Sequence, residues 1–202
     1  MENIIVITGG GSGIGRAAAQ ALAAAGKRVL IAGRRLAPLQ ETAASCGQKI
    51  SLVQADVSTE SGRAAIKATI GNQPVAALIQ TAGVFSTQSL KQLTPSIWEQ
   101  TFATHVSGRI FLAQGLRSQL KGGRILFIGS RSATTTRQGA MAYCASQAAS
   151  HMLQRCLQEE LAESQVTVGS LIPGPADTRI MRQGIEADPS IYPDALAQQQ
   201  EQ

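Results

Sequence analysis

The sequence predicts an α/β fold, a doubly wound parallel sheet of six strands with helices on both faces. Three observations predict it. Short β-branched runs alternate with longer Ala-rich stretches of helical period, and repeated strand–helix units close into a parallel sheet. The short runs are nearly all apolar, without polar alternation, as strands buried on both faces require. The first run ends in a Gly-rich turn, TGGGSGIG at 8–15, which opens a helical stretch.

The elements follow in order. NIIVIT (3–8) is the first strand, and GIGRAAAQALAAAG a helix closed by Gly26. RVLIAG (28–33) is the second strand, and APLQETAASCG a helix with Pro38 in its first turn. KISLVQAD (49–56) is the third strand, and STESGRAAIKATIG a helix capped by Ser58 or Thr59. VAALIQTAG (75–83) is the fourth strand, followed by a long helical stretch from Pro95 to Leu120. GRILFIGS (123–130) is the fifth strand, Ala142 to Glu163 a long helix, and QVTVGSLIPG (165–174) the sixth strand. No fixed repeat or interdomain linker appears, so 1–202 reads as one domain, with a polar, Gln-rich tail at 185–202 expected to be mobile.

Composition narrows the class. The 202 residues suffice for one core, and 44% are apolar. The three cysteines, Cys46, Cys144 and Cys156, show no C-x-x-C spacing and read as free thiols, so a reducing, cytoplasmic location is expected. No apolar run reaches the ~18–20 residues of a membrane span, and MENIIVITGGG lacks the basic start of a signal peptide. The formal charge of +5 fits either a basic soluble surface or attraction to an anionic ligand. Nucleic acid is not an expected partner, because Arg and Lys are scattered and aromatics make up only 3%.

Gly9, Gly13 and Gly15 let the backbone turn tightly and approach a pyrophosphate at a helix N-terminus. The end of the second strand then chooses between dinucleotides. NAD sites place an acid there for the ribose 2′-hydroxyl, whereas NADP sites offer an Arg to the 2′-phosphate. The chain has Gly33 at that place, then Arg34 and Arg35, so NADP(H) is expected over NAD(H), with Arg34 the main contact. The plain alternative is a solvated basic start to the next helix.

With these motifs in order, residues 3 to about 180 resemble the short-chain dehydrogenase/reductase family, whose fold is Rossmann-type. TGGGSGIG, with Ser12 and Ile14 between its glycines, resembles TGxxxGxG. Asp56 and Val57 of QADVS resemble the segment that meets adenine, and Ala82 and Gly83 of QTAG stand where the family commonly has NNAG. Ser130 precedes Tyr143 by thirteen residues, the family's catalytic spacing. Pro173 and Gly174 resemble the PG segment, with Thr178 matching the threonine at the nicotinamide end. The resemblance implies hydride transfer at a small-molecule carbonyl or alcohol. Tyr143 would be the proton donor to a ketone or aldehyde, and Ser130 would orient its oxygen. Each has a plain alternative, a packed tyrosine and a strand-end cap. Gln138, Met141, Ile180 and Met181 are candidate pocket residues by family placement. The family also implies a homodimer or homotetramer, built in part on the two long helices. Phe111, Leu112, Leu116, Met152, Leu153 and Leu157 are candidates for that face or for the core.

The chain departs from the family at the chemical centre. YxxxK reads Tyr143-Cys-Ala-Ser-Gln147, which removes the lysine that lowers the tyrosine pKa and bonds the ribose. Gln147 lies one turn from Tyr143 and can donate to a ribose hydroxyl, but it carries no charge. A phenol of pKa near 10 is only about one part in a thousand phenolate at neutral pH. Carbonyl reduction needs the neutral acid, so activity is expected to be stronger as reductase than as dehydrogenase, and Gln147→Lys to raise it. His105 stands where the family carries an asparagine of the proton relay; it could substitute in part, or simply pack against a backbone carbonyl. These losses support an alternative function, a cofactor-binding sensor or subunit with little turnover. The family's seventh strand has no candidate before Gln202, so the sixth strand is expected to be an edge covered by the tail, by another chain, or by residues this sequence does not include.

Overall fold

The computed structural model describes residues 3–174, 176, 178 and 180–183. Six strands, β1 (Ile4–Thr8), β2 (Arg28–Gly33), β3 (Ile50–Gln54), β4 (Val75–Gln80), β5 (Arg124–Ile128) and β6 (Thr167–Leu171), form one sheet in the order β3-β2-β1-β4-β5-β6. Every neighbouring pair is parallel. The helices are α1 (Gly13–Ala24), α2 (Leu36–Ala44), α3 (Glu60–Ile70), α4 (Pro95–Phe102), α5 (Gly108–Gly115) and α6 (Met141–Glu160).

Side-chain alternation explains why the central strands read as continuous apolar runs. Along β1, Ile4 and Val6 pack on one face, with Ile66 and Ile70 of α3, Leu112 of α5 and Leu157 of α6. Ile5 and Ile7 pack on the other, with Ala19 and Ala23 of α1 and Leu39 of α2. Burying one such aliphatic side chain contributes about 1.5–3 kcal/mol. The edge strands β3 and β6 are partly exposed, which is why ISLVQ and TVGSL admit Ser51, Gln54, Thr167 and Ser170. Gly26 closes α1 at φ +79°, with Lys27 N–H donating to Leu22 O at 3.0 Å and Gly26 N–H to Ala23 O at 2.9 Å. Thr59 is the cap of α3, accepting from Gly62 N–H at 3.1 Å, while the Ser58 hydroxyl is committed to Asp56.

The structure corrects several boundaries. The stretch from Pro95 to Leu120 is not one helix. A π turn over Ala103–Ser107 separates α4 from α5, and α5 gives way to turns after Gly115. Thr101 and Thr104 hydroxyls donate back to the Ile97 and Gln100 carbonyls, at 2.7 and 3.0 Å, at the approach to the π turn. Gly108 then lets the helix lie on the loop after β3, where a Cβ would come within 2.8 Å of Val57 O. Strands β4, β5 and β6 end before the sequence reading has them. Residues 81–83, 129–130 and 172–174 leave the ladder at its carboxyl end. Helix α6 ends at Glu160, before a short 3-10 turn over Ala162–Ser164.

Leu112, Leu116 and Leu157 are buried and Leu153 packs against the core, whereas Phe111 and Met152 are exposed. Among the described residues β6 is an edge; the tail at 185–202 lies outside them.

Candidate active site

The residues that leave the ladder after β4, β5 and β6 wall a cavity of about 500 Å³ with the start of α1 and the inner face of α6. It sits where the strand order reverses, between β1 and β4, beyond the carboxyl ends of the strands. Gly9, Ser12, Gly13, Ile14 and Gly15 form one wall; Ala82, Gly83, Pro173, Gly174 and Thr178 form others. Ser130, Tyr143, Gln147 and His105 line the same space, with Gln138, Ile180 and Met181. Met141 is exposed at the start of α6 and is not among the lining residues.

The glycine turn is built by hydrogen bonds that the motif does not reveal. Gly9 and Gly10 N–H both donate to Ala32 O, at 2.7 and 3.2 Å. Thr81 Oγ1 donates to Thr8 O, and Ala82 N–H donates to Thr8 Oγ1 at 3.3 Å, so β1 and the segment after β4 brace each other. Gly9 and Gly13 adopt φ +73° and +51°, conformations that favour glycine. Arg16 donates to Gly11 O at 2.7 Å and to Glu41 Oε2 at 2.9 Å, pinning the turn to α2. The alternating Gly pattern marks the turn; nothing in it marks Thr8, Thr81 or Arg16 as its support.

A second cavity of about 100 Å³ shares Gly9, Ser12, Ala82 and Gly83 with the first. Arg34, Arg35, Asp56 and Val57 line it, beside Gly33. Both arginines are exposed, and neither guanidinium makes an ion pair or hydrogen bond with another described residue. Asp56 Oδ1 accepts from the Ser58 N–H and hydroxyl, at 2.9 and 2.7 Å, which fixes its carboxylate at the cavity edge.

Ser130 leaves β5 in extended conformation and its Oγ accepts from Ser132 N–H at 3.1 Å. One acceptor position is used, so the hydroxyl keeps its hydrogen for a partner in the cavity. Tyr143 lies in the first turn of α6, its ring held edge-on by Phe85 at 4.9 Å and by His105 at 5.5 Å between centroids. Gln147 is buried, and its Oε1 has no hydrogen-bond partner among the described residues.

His105 is fully buried, with both ring nitrogens committed. Nε2 accepts from Val84 N–H at 3.0 Å, and Nδ1 lies 2.8 Å from Ser146 Oγ, which donates to Tyr143 O at 2.8 Å. With that hydroxyl hydrogen committed, Nδ1 carries the proton and donates to Ser146. Burial, then the Arg109 cation, holds its pKa well below the ordinary 6.5, at about 3, so the ring is neutral. The backbone partner is an N–H, not a carbonyl, and His105 joins the loop after β4 to α6.

Arg109, which no motif marks, is buried in the cavity wall. Its Nη1 donates to Ser150 Oγ at 2.7 Å, its Nη2 to Ile128 O at 2.9 Å, and its guanidinium lies 5.4 Å from the Phe127 ring centroid. The available signal was spacing: Arg109 follows His105 by four residues and so shares its helix side.

No helix among the described residues is long and apolar enough to cross a membrane. The profile of the family described as short chain dehydrogenase matches residues 3–189. The chain is 32% identical over 177 residues to L-xylulose reductase of Caenorhabditis elegans, covering 84% of this chain and 70% of that one. It is 33% identical over 175 residues to galactitol 2-dehydrogenase (L-tagatose-forming) of Cereibacter sphaeroides, covering 83% and 69%. Two solved structures share the fold closely. The Pseudomonas aeruginosa RhlG/NADP active-site complex has a TM-score of 0.83 at 30% identity, covering 93% of this chain and 78% of that one. The 3-ketoacyl-(acyl-carrier-protein) reductase of Brucella melitensis complexed with NADH has a TM-score of 0.84 at 26% identity, covering 90% and 79%. A six-stranded parallel sheet in this order, a glycine turn opening on the cavity and a family match along nearly the whole chain lead to one conclusion: this protein belongs to the short-chain dehydrogenase/reductase family of oxidoreductases.

Proposed function

We propose that the chain is an NADP(H)-dependent reductase of a small-molecule ketone or aldehyde, a single cytoplasmic domain acting as a homodimer or homotetramer. The observation that carries it is the meeting of Ser130 and Tyr143 in one cavity with the glycine turn. The residues present fit a dinucleotide. The amides at the start of α1 suit a pyrophosphate, Arg34 and Arg35 suit a 2′-phosphate, and the buried Gln147 Oε1 suits a ribose hydroxyl. When bound, the cofactor supplies the hydride. Tyr143 gives its phenolic proton to the carbonyl oxygen, and the Ser130 hydroxyl donates a hydrogen bond that orients that oxygen. Pro173, Gly174 and Thr178 line the same cavity and would confine the nicotinamide end. Exposed Phe111 on α5 and Met152 on α6 support an intersubunit face.

Two measurements test the reading: NADPH oxidation across a panel of ketones and aldehydes, and titration with NADPH and NADH. Turnover that prefers NADPH supports it; equal or tighter binding of NADH overturns the cofactor choice. The committed nitrogens of His105 and the missing lysine favour a second reading, a cofactor-binding sensor or subunit. Tight NADPH binding with no turnover on any carbonyl selects that one.

A further inference from the structure

Arg109 is a buried cation with no carboxylate partner among the described residues. Its hydrogen bonds go to a hydroxyl and a carbonyl, both neutral, and its Nε is buried without a partner. A cation so placed is costly unless something anionic faces it. The charged and titratable groups that line the two cavities Arg109 borders are His105 from the π turn, Arg131 and Arg137 from the loop after β5, and His151 and Tyr143 from α6; no carboxylate lines either, among the described residues. His105 is neutral. Tyr143 is the one group of that set able to become an anion.

We propose that Arg109 is a positioning residue that supplies, from α5, the positive charge that lets the Tyr143 phenol ionise. Its bonds to Ser150 on α6 and to Ile128 O, just before Ser130, fix the guanidinium against both elements that carry the proposed chemistry. Burial lowers the Arg109 pKa to about 10, still cationic at neutral pH, and the Tyr143 phenolate acts in the opposite direction to sustain the charge. The neutral Gln147 follows from the same arrangement. A lysine at 147 would place a second buried cation in the wall that Arg109 already occupies. The charge has moved from one helix to its neighbour. On this reading Gln147→Lys alone does not raise activity.

This inference takes its purpose from the reductase reading, but its test needs no turnover. In a Tyr192→Phe background, Tyr143 is the sole tyrosine, since the sequence holds two. Its phenolate absorbance is followed from neutral to alkaline pH in the full chain without cofactor. Arg109→Gln is expected to raise the midpoint by about one pH unit or more, and Arg109→Lys to keep it low. Arg109→Gln with Gln147→Lys returns the cation from α6 and brings the midpoint back down. An unchanged midpoint in folded Arg109→Gln overturns the proposal. Should that variant not fold, Gln147→Lys with Arg109 in place decides. The new lysine, buried beside Arg109, is held neutral, so the midpoint moves by less than about half a unit. A fall of one unit or more shows that the phenol had no cation and overturns the proposal. A midpoint that depends on Arg109 without carbonyl turnover sinks the reductase reading and leaves this one; turnover with an insensitive midpoint does the reverse.

Discussion

A phenol does proton chemistry only as well as its surroundings set its acidity, and the rings beside Tyr143 set its direction too. Phe85 and His105 hold it edge-on, so the hydroxyl can address the cavity without a search through rotamers. Tyr143→Phe is expected to lower kcat on any accepted carbonyl by at least about 10²-fold while leaving NADPH binding within about twofold, checked by initial rates and a binding titration. Arg34→Ala is expected to weaken NADPH binding by roughly ten- to a hundredfold and leave NADH binding nearly unchanged, because a charge-assisted contact with the 2′-phosphate contributes about 1.5–3 kcal/mol. At this scale Ser130, Tyr143 and Gln147 are legible because their spacing is local. Arg109 and Ser146 are not. Their meaning lies in contacts that the π turn and α5 make with α6, each across 41 positions of sequence.

Among the elements, the glycine turn and α6 do most to build the site. Gly15 packs under the turn so closely that a Cβ would overlap Gly9 O and Thr81 Oγ1. Gly15→Ala is therefore expected to lower stability by about 1–3 kcal/mol and to abolish measurable NADPH binding, read by urea denaturation and titration. Helix α6 presents Tyr143, Ser146, Gln147 and Ser150 along one side, an arrangement fixed by 3.6-residue periodicity and visible in the sequence. The π turn before α5 is not visible. Apolar periodicity continues through residues 95–120, and only the hydrogen-bond pattern of the folded backbone shows the extra residue. The strand ends were overrun for a related reason. Residues 81–83 and 129–130 are small or apolar like the strands before them, but they part from their neighbours to wall the cavity.

For the molecule as a whole, buried His105 couples stability to pH. The unfolded chain binds a proton there below pH 6.5, and the folded chain refuses it until about pH 3. The stability this group contributes is fully present above pH 6.5 and is lost as pH falls from there towards 3, by about 1.4 kcal/mol per pH unit. Urea midpoints measured between about pH 7 and pH 5 should fall more steeply in the wild type than in His105→Asn, which has no proton to take up. On the proposed assembly, Phe111→Glu with Met152→Glu should leave the fold intact and shift the chain towards monomer by light scattering, since both side chains are exposed, one on α5 and one on α6. The order of strands and helices, the glycine turn, the basic pair after β2 and the Ser130–Tyr143 spacing are all legible from the residues alone. Each is written in local periodicity or in a short motif whose backbone demands glycine or a fixed offset. That His105 is a neutral brace, and that Arg109 is buried in a wall of the cavity Tyr143 also lines, follows from the packing alone. Burial and the pairing of charges are properties of how distant segments pack, and no run of neighbouring residues carries them.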